Sequence, residues 1–326
     1  ARRADRDSEF LASTDTWFRP VQFANAPDGN LYVVDMYREL IEGAAFVPPR
    51  LLKELDPRSG TDRGRIYRIV FVGGNSAPSK SNEPLPHKLA TTNELIELLE
   101  HPNGWHRETA TRLIYEQQDR RGVNRLRQLA TTSKSPTARV HALYALHGLS
   151  RLEPDVILPR LADSHPEVRV HAVRLSESMA RDSPKIHAKL LSLVDDGDLR
   201  VRYQVAFSLG AFPGLDSYRA LAILLERDGA NPWVRAAVQS SLLQGAGDVF
   251  VALSANQQFR SSDHGEKMLA SLASQIGAQN RKDEIALLLK GLQSVPTQES
   301  EVRRAITVGL FKNASREVRQ RFSDAG

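Results

Sequence analysis

The 326-residue chain contains no cysteine. That absence excludes disulfides, zinc–thiolate sites, iron–sulfur clusters and a CxxCH haem attachment within these residues. No run approaches the ~20 consecutive apolar residues needed to span a bilayer. The start, Ala1-Arg2-Arg3-Ala4-Asp5, has neither an apolar h-region nor a Met, so no signal peptide is expected there. It reads like a cut end, with any targeting signal lying upstream. Also missing are a P-loop, a GxGxxG stretch, a nucleophile elbow, an HExxH pair and a Ser-His-Asp order, so no reaction is written into the linear sequence. Excess charge is scarce too: 44 basic against 39 acidic side chains give a net +5. The first 75 residues carry equal numbers of each sign. A diffuse excess lacks the clustered stripe that nucleic-acid binding needs, so nucleic acid is not an expected partner.

What is present is a 41% hydrophobic composition, enough for a sizeable core and two modules. The apolar period changes near residue 75. Before it, Val21 and Phe23 alternate, and the run Leu31-Tyr32-Val33-Val34 follows Pro27-Asp28-Gly29-Asn30. Asp-Gly between two such runs predicts a hairpin, because glycine takes a positive φ at little steric cost. A second strand is predicted over Gly64–Phe71 and a short one at Phe10-Leu11-Ala12, with a helical turn at Leu51–Leu55. Residues 75–88, with Pro78, Pro84 and Pro86, read as an extended linker. The expected division is 1–74 β-rich, 75–88 linker, 89–326 helical.

Beyond the linker the helices repeat. His165-Pro166-Glu167-Val168-Arg169-Val170-His171-Ala172-Val173 has companions at Asp198–Ala206 and Asn231–Val238. Further copies stand at Trp105–Ala110, Thr137–Ala142 and Glu301–Ala305. The aligned arginines are Arg107, Arg139, Arg169, Arg202, Arg235 and Arg303, separated by 32, 30, 33, 33 and 68 residues. The doubled last gap predicts a degenerate copy near Lys267-Met268-Leu269. Within one unit, Val168, Ala172, Leu175 and Met179 form a single apolar stripe, and Pro166 falls in the first turn of its helix, where a missing N–H is harmless. A lone helix pair cannot bury such a stripe, so the units must stack.

The arginine ladder resembles that of HEAT repeats, whose second helix carries a D-x-x-P-x-V-R-x-x-A theme. Asp163 and Asp196 each lie six residues ahead of their own unit's arginine. The resemblance implies an Asp–Arg ladder between successive units. The expected fold is mainly α, a HEAT/armadillo-like α–α superhelix of about six to seven helix pairs with a small N-terminal β segment.

That segment has a resemblance of its own. Trp17-Phe18-Arg19-Pro20-Val21, Ala26 through Glu39, and Ser59 through Ile69 look like the last part of the β-propeller in planctomycete-type membrane-bound dehydrogenases, which are similar to quinoprotein glucose and sorbosone dehydrogenases. In that family HEAT repeats follow the propeller, often with a c-type cytochrome domain. The resemblance, over about residues 10–72, implies a parent that uses PQQ, calcium and haem c to oxidise a sugar or alcohol in the periplasm or cell envelope. Its partners would be the remaining propeller blades and a cytochrome c. A propeller needs several four-stranded blades, and these residues supply about one. The catalytic His would lie outside them, so the chain itself is expected to be inactive. The alternative is a stand-alone HEAT adaptor whose strands only cap the first repeat.

Candidate residues follow from these motifs. Arg19 and Asp35 would lie at the mouth of a propeller channel, near a quinone or a sugar-like substrate; the favoured reading is a strand-end Asp and a nearby Arg holding loops together. His141 and His171 occupy equivalent places in two repeats, where packing is favoured over a metal site, since no ligand partner lies at suitable spacing. The ladder arginines could attract an acidic partner or phosphate, less so where an Asp already neutralises them. Trp105 and Trp233 are expected to fill interfaces between repeats. Asp195-Asp196 falls in an inter-helix turn, where solvated carboxylates are the default, and Asn313-Ala314-Ser315 matches a glycosylation sequon.

Overall fold

The computed structural model describes residues 7–41, 43–70 and 90–314. The expected linker at 75–88, and Ser315 of the sequon, lie outside the described residues. The chain divides into two compact units, Ala1–Gln117 and Gln118–Gly326.

The first unit holds a three-stranded antiparallel sheet in the order β1 (Pro20–Asn25), β2 (Leu31–Asp35), β3 (Arg65–Ile69). The Asp-Gly signal makes the β1–β2 turn: Gly29 has φ 79°, its N–H donates to the Ala26 carbonyl, and Asp28 Oδ1 accepts from the Asn30 N–H at 3.0 Å. Val33 pairs with Phe23 on one side and Tyr67 on the other, and is fully buried. A bulge between Pro20 and Gln22 accommodates Val21. No strand forms at Phe10–Ala12, and Phe10 is 73% exposed. The helical turn begins two residues ahead of its expected place, as α1 (Pro49–Leu52), with Pro49 at its start.

The unit is completed by α2 (Thr92–Leu98) and α3 (Gly104–Gln117). Thr91 and Glu94 start α2 with a reciprocal capping box. The hairpin turn is held against this pair: Asn103 Nδ2 donates to the carbonyls of Ala26 (2.9 Å) and Pro27 (3.2 Å), and His106 Nε2 lies 3.0 Å from the Pro27 carbonyl. These bonds place the first helical pair in the same unit as the sheet.

The second unit is an array of helix pairs: α4 (Val123–Thr132) with α5 (Pro136–Gly148), α6 (Pro154–Arg160) with α7 (Pro166–Ser176), and α8 (Pro184–Ser192) with α9 (Leu199–Ser208). Then come α10 (Leu215–Asp228) with α11 (Pro232–Ser241), and α12 (Ala246–Ala255), α13 (Gln257–Arg260), α14 (Gly265–Gln279), α15 (Lys282–Ser294) and α16 (Ser300–Lys312). The sequence sets many starts. Pro136, Pro154, Pro166, Pro184 and Pro232 each open a helix; with φ already helical and no N–H to satisfy, proline fits there. Ser135, Asp198, Asn231 and Asn256 supply side-chain caps. Pro159, inside α6, helps keep that helix to two turns.

First helices α4, α6, α8, α10 and α12 touch in chain order, as do second helices α5, α7, α9 and α11. In α7 the buried apolar residues are Val168, Ala172, Val173 and Leu175. Met179 is not part of that stripe: α7 ends at Ser176 and Ala180 is buried in the turn beyond instead. Near the C-terminus α14 and α16 approach almost backbone to backbone. A Cβ on Gly277 would lie 2.3 Å from the Leu310 carbonyl oxygen, and one on Gly309 2.3 Å from that of Ala270.

Candidate interaction face and its arginine ladder

In the sheet unit, Asp35 is buried at the end of β2, and its Oδ1 accepts from the backbone N–H groups of Arg19 (2.8 Å) and Tyr37 (2.9 Å). The Arg19 guanidinium donates to the carbonyls of Thr16, Phe18 and Glu39. The two residues meet, but through the backbone of Arg19 rather than as an ion pair. Their hydrogen bonds staple the segments around 16–19 to those around 35–39. Asp35 Oδ2 is buried without a partner among the described residues.

In the second unit three of the ladder arginines share one geometry. Arg139, Arg169 and Arg202 each donate Nη1 to the carbonyl six residues back, that of Ser133, Asp163 and Asp196 respectively, at 2.6–2.8 Å. Their Nε–Nη2 edges then grip a carboxylate of the next repeat: Asp163 at 2.7–3.0 Å, Asp196 at 2.8 Å, Asp228 at 2.7 Å. Such two-point grips suit the planar guanidinium fork and are stronger than neutral hydrogen bonds. Asp163 and Asp196 each also accept a backbone N–H at their joint. Asp163, with its side chain only 2% exposed, also accepts from Arg160 and from the His165 N–H. Burial alone would raise its pKa, but Arg139 and the His165 N–H outweigh that and hold it below the usual value. Asp196 behaves likewise through Arg169 and the Asp198 N–H. It is therefore no solvated turn carboxylate, whereas its neighbour Asp195 is exposed and only reaches Arg227 at 3.4 Å.

The degenerate copy lies elsewhere than expected. Met268 and Leu269 are buried in α14, but the ladder arginine is Arg260, in α13. It donates to the Ser254 carbonyl at 2.6 Å, again six residues back, and grips Glu299 at 2.8–2.9 Å. Arg303 departs from the pattern, donating to the carbonyls of Leu292 and Val295 in the preceding helix and turn. Arg107, in the first unit, keeps the bond to the carbonyl six residues back, His101, at 2.6 Å. Arg235 keeps it to Gly229, also at 2.6 Å.

The exposed side of the second-helix row carries aromatic residues. Tyr144 on α5 meets His171 on α7 edge-to-face, with Oη 3.1 Å from Nδ1. Burial lowers the His171 pKa and raises that of Tyr144. His171 thus partners Tyr144, and His141 sits half-buried on α5. Among the described residues no three His, Asp or Glu side chains converge as a metal site. On α9, Tyr203 and Phe207 stack edge-to-face, with Phe207 41% exposed. Trp233, at the start of α11, is 70% exposed and fills no interface. Trp105 is half-buried against His106. On the first-helix side, a cleft of about 590 Å³ lies beside α8 and the start of α10, lined by Arg181, His187, Phe212, Leu215, Ser217 and Arg219 among others. Within it, His187 Nε2 lies 3.5 Å from the hydroxyl of the buried Ser217. No helix of the described residues is long and apolar enough to cross a membrane.

Comparison with known proteins agrees with this geometry. Residues 154–243 match the family of HEAT repeats, and residues 1–72 match a family described as a domain of unknown function (DUF7133). The helical array is of HEAT type. No curated protein gives a match. Solved structures include the complex of CpcE and CpcF of phycocyanin lyase from Nostoc sp. PCC7120, 17% identical over 72% of this chain and 97% of that one, with a TM-score of 0.37. An engineered protein is 18% identical over 68% and 98% of the two chains, with a TM-score of 0.27.

Three elements of the HEAT array escaped the sequence reading. Arg260 stands 25 residues after Arg235 rather than about 33, so a fixed period passes over it; the i−6 carbonyl is the feature it shares. Glu299 belongs to no Asp-x-x-Pro theme. Glu284, 4% exposed, caps the start of α12 by accepting from the N–H groups of Gly245 (2.7 Å) and Gly247. No sequence signal links residues 39 apart in that way.

Proposed function

We propose that the chain is a non-catalytic scaffold that binds a protein through the second-helix side of its HEAT array. The observation that carries this reading is the exposure of Phe207 and Trp233 there, beside the half-buried Tyr144, His171 and Tyr203, on helices that each carry a ladder arginine. Large aromatics left in water on a rigid surface are the residues that dominate protein interfaces. The ladder supports the same reading: the charges of Arg139, Arg169, Arg202 and Arg260 are met by carboxylates of the chain itself, so these pairs set backbone spacing and leave recognition to the outer side chains. A photo-crosslinking residue at Phe207, compared with one at the exposed Ile223 on α10, tests it in cells of the source organism. A discrete crosslinked partner at 207 and none at 223 is expected. Equal labelling of both, or none, removes the assignment of the face.

Within this reading, the bonds from Asn103 and His106 to the hairpin turn favour the sheet as a cap of the first helical pair. An uncapped repeat end exposes apolar surface. The finer proposal, a scaffold serving a PQQ-, calcium- and haem c-dependent sugar or alcohol dehydrogenase of the cell envelope, rests on the motif resemblance of residues 10–72 alone. Its test is the reading frame upstream: further propeller blades support it, and their absence leaves the stand-alone adaptor.

A further inference from the structure

Two arginines at the cleft beside α8 lack what the ladder arginines have. Arg181 and Arg219 both line it. Arg181 reaches the Ala211 carbonyl at 3.4 Å. Arg219 lies 3.7 Å from the exposed Asp216, and its charge acts on Asp248 from further away. Neither guanidinium is gripped by a carboxylate as Arg139, Arg169 and Arg202 are. Asp216 is the acid among the lining residues, so two guanidinium groups stand against one carboxylate around the cleft.

The start of α10 adds donors to the same place. α6 and α8 open on Pro154 and Pro184, which have no N–H, whereas α10 opens on Leu215 after Gly214, a residue with no side chain to cap it. The first N–H groups of a helix have no partner within it and favour an anion. Ser217, 1% exposed, lies in this first turn and lines the cleft. Its hydroxyl is 3.5 Å from His187 Nε2, well beyond the ~2.9 Å of a good hydrogen bond, so both groups keep capacity for a further partner. Much of the remaining lining is apolar: Phe212, tilted against the His187 ring at 5.7 Å, with Ala180, Pro213 and Leu215. At about 590 Å³ the cleft has the size of a small-molecule site, in which a few converging polar groups fix a ligand against apolar walls.

We infer that this cleft binds a small organic anion, a carboxylate or phosphate carried on an apolar body. The Arg181 and Arg219 guanidinium groups neutralise the anionic head, the first turn of α10 and the Ser217 hydroxyl donate to its oxygens, and the body packs on Phe212 and Leu215. The cleft belongs to the first-helix side, so the inference goes beyond the protein-binding reading and stands or falls without it.

The test is calorimetric titration of 2-naphthoate, 2-naphthyl phosphate and the uncharged 2-naphthalenemethanol into the whole chain. Saturable binding of either anion at a single site supports the inference, and the tighter of the two names the preferred head. The alcohol should bind at least about tenfold more weakly, the loss expected when charge-assisted hydrogen bonds are missing. Arg181→Gln and Arg219→Gln should each weaken the anions about fivefold and leave the alcohol unchanged. Both side chains are exposed, so the melting temperature should not move. A Cβ on Gly214 would meet nothing within 4 Å, and its φ of 165° is extended backbone open to any residue. Gly214→Leu should therefore fill the cleft and abolish binding of all three ligands in a folded protein. Ser217→Ala should cost the anions about threefold. Equal binding of the alcohol and the anions would overturn the anion site. So would anion binding indifferent to Arg181→Gln combined with Arg219→Gln, or to Gly214→Leu. No saturable binding of either anion would overturn it as well.

Discussion

The joint between α7 and α9 and the contact between α14 and α16 bury similar helix faces by different means. At the first, Arg169 and Asp196 span the repeats while Val168, Ala172 and Val173 fill the space between helices. At the second, Gly277 and Gly309 let each helix meet the other's backbone, and the ladder pair is displaced onto α13 and Glu299. The difference teaches that this array does not need one residue pattern at each joint. It needs a carboxylate for each buried guanidinium and enough small residues where helices close in.

The largest test of that contrast is Asp163→Ala. It leaves the Arg139 side chain, 8% exposed, without its carboxylate, and should cost about 3–5 kcal/mol in denaturant unfolding. The apolar double variant Arg139→Met with Asp163→Leu should recover most of that, since it removes both charges together. If the single and double variants unfold alike, the ladder is not what holds the regular joints. Next in size, Gly309→Ala should lose about 1–3 kcal/mol, because the new methyl meets the Ala270 carbonyl. A tolerated alanine would mean α14 and α16 stand further apart. Glu284→Ala should cost about 1–3 kcal/mol by leaving the Gly245 and Gly247 N–H groups unpaired, with thermal unfolding as the readout.

Acid should sharpen the comparison in a signed way. The carboxyls of Asp163 and Asp196 are lowered from 3.8 in the folded state. Their stabilisation is therefore present above about pH 4 and is lost as pH falls through the folded values. Asp248, raised by burial and then by Glu284, runs the other way: its contribution is present below 3.8 and lost as pH rises through its folded value. Hydrogen exchange between pH 3 and pH 7 should show the α5–α9 joints opening first in acid, while Asp248→Asn raises stability at neutral pH. The smallest expected effect is Trp233→Ala, under about 0.5 kcal/mol, as befits a side chain 70% exposed.

Much of the regular array was legible because its signals are local. Proline at helix starts, the Asp-Gly turn, the alternating Leu31–Val34 run and the recurring Val-Arg pair each act within a few residues of themselves. The linear pattern failed where partners are remote or spacing changes. Arg260 was missed because a short helix, α13, places it well ahead of its period. Met179 was assigned to a stripe that stops a turn earlier. Trp233 was assigned to an interface because its neighbour Arg235 belongs to one, yet on a helix two residues' separation points side chains to different sides. Arg19 and Asp35 were correctly placed as neighbours, but the bond runs from a backbone N–H, which side-chain identities do not reveal.

By itself, then, the sequence determined that helix pairs repeat through the C-terminal part of the chain, where many of them begin, and which arginine each regular unit contributes, since periodicity and capping are short-range properties of the chain. Only the tertiary structure decided which carboxylate answers which guanidinium, that Arg235 meets none among the described residues, and that Trp233 faces water. Those outcomes depend on how neighbouring repeats pack, and an ion pair across some 25 residues is made by stacking rather than by any local preference.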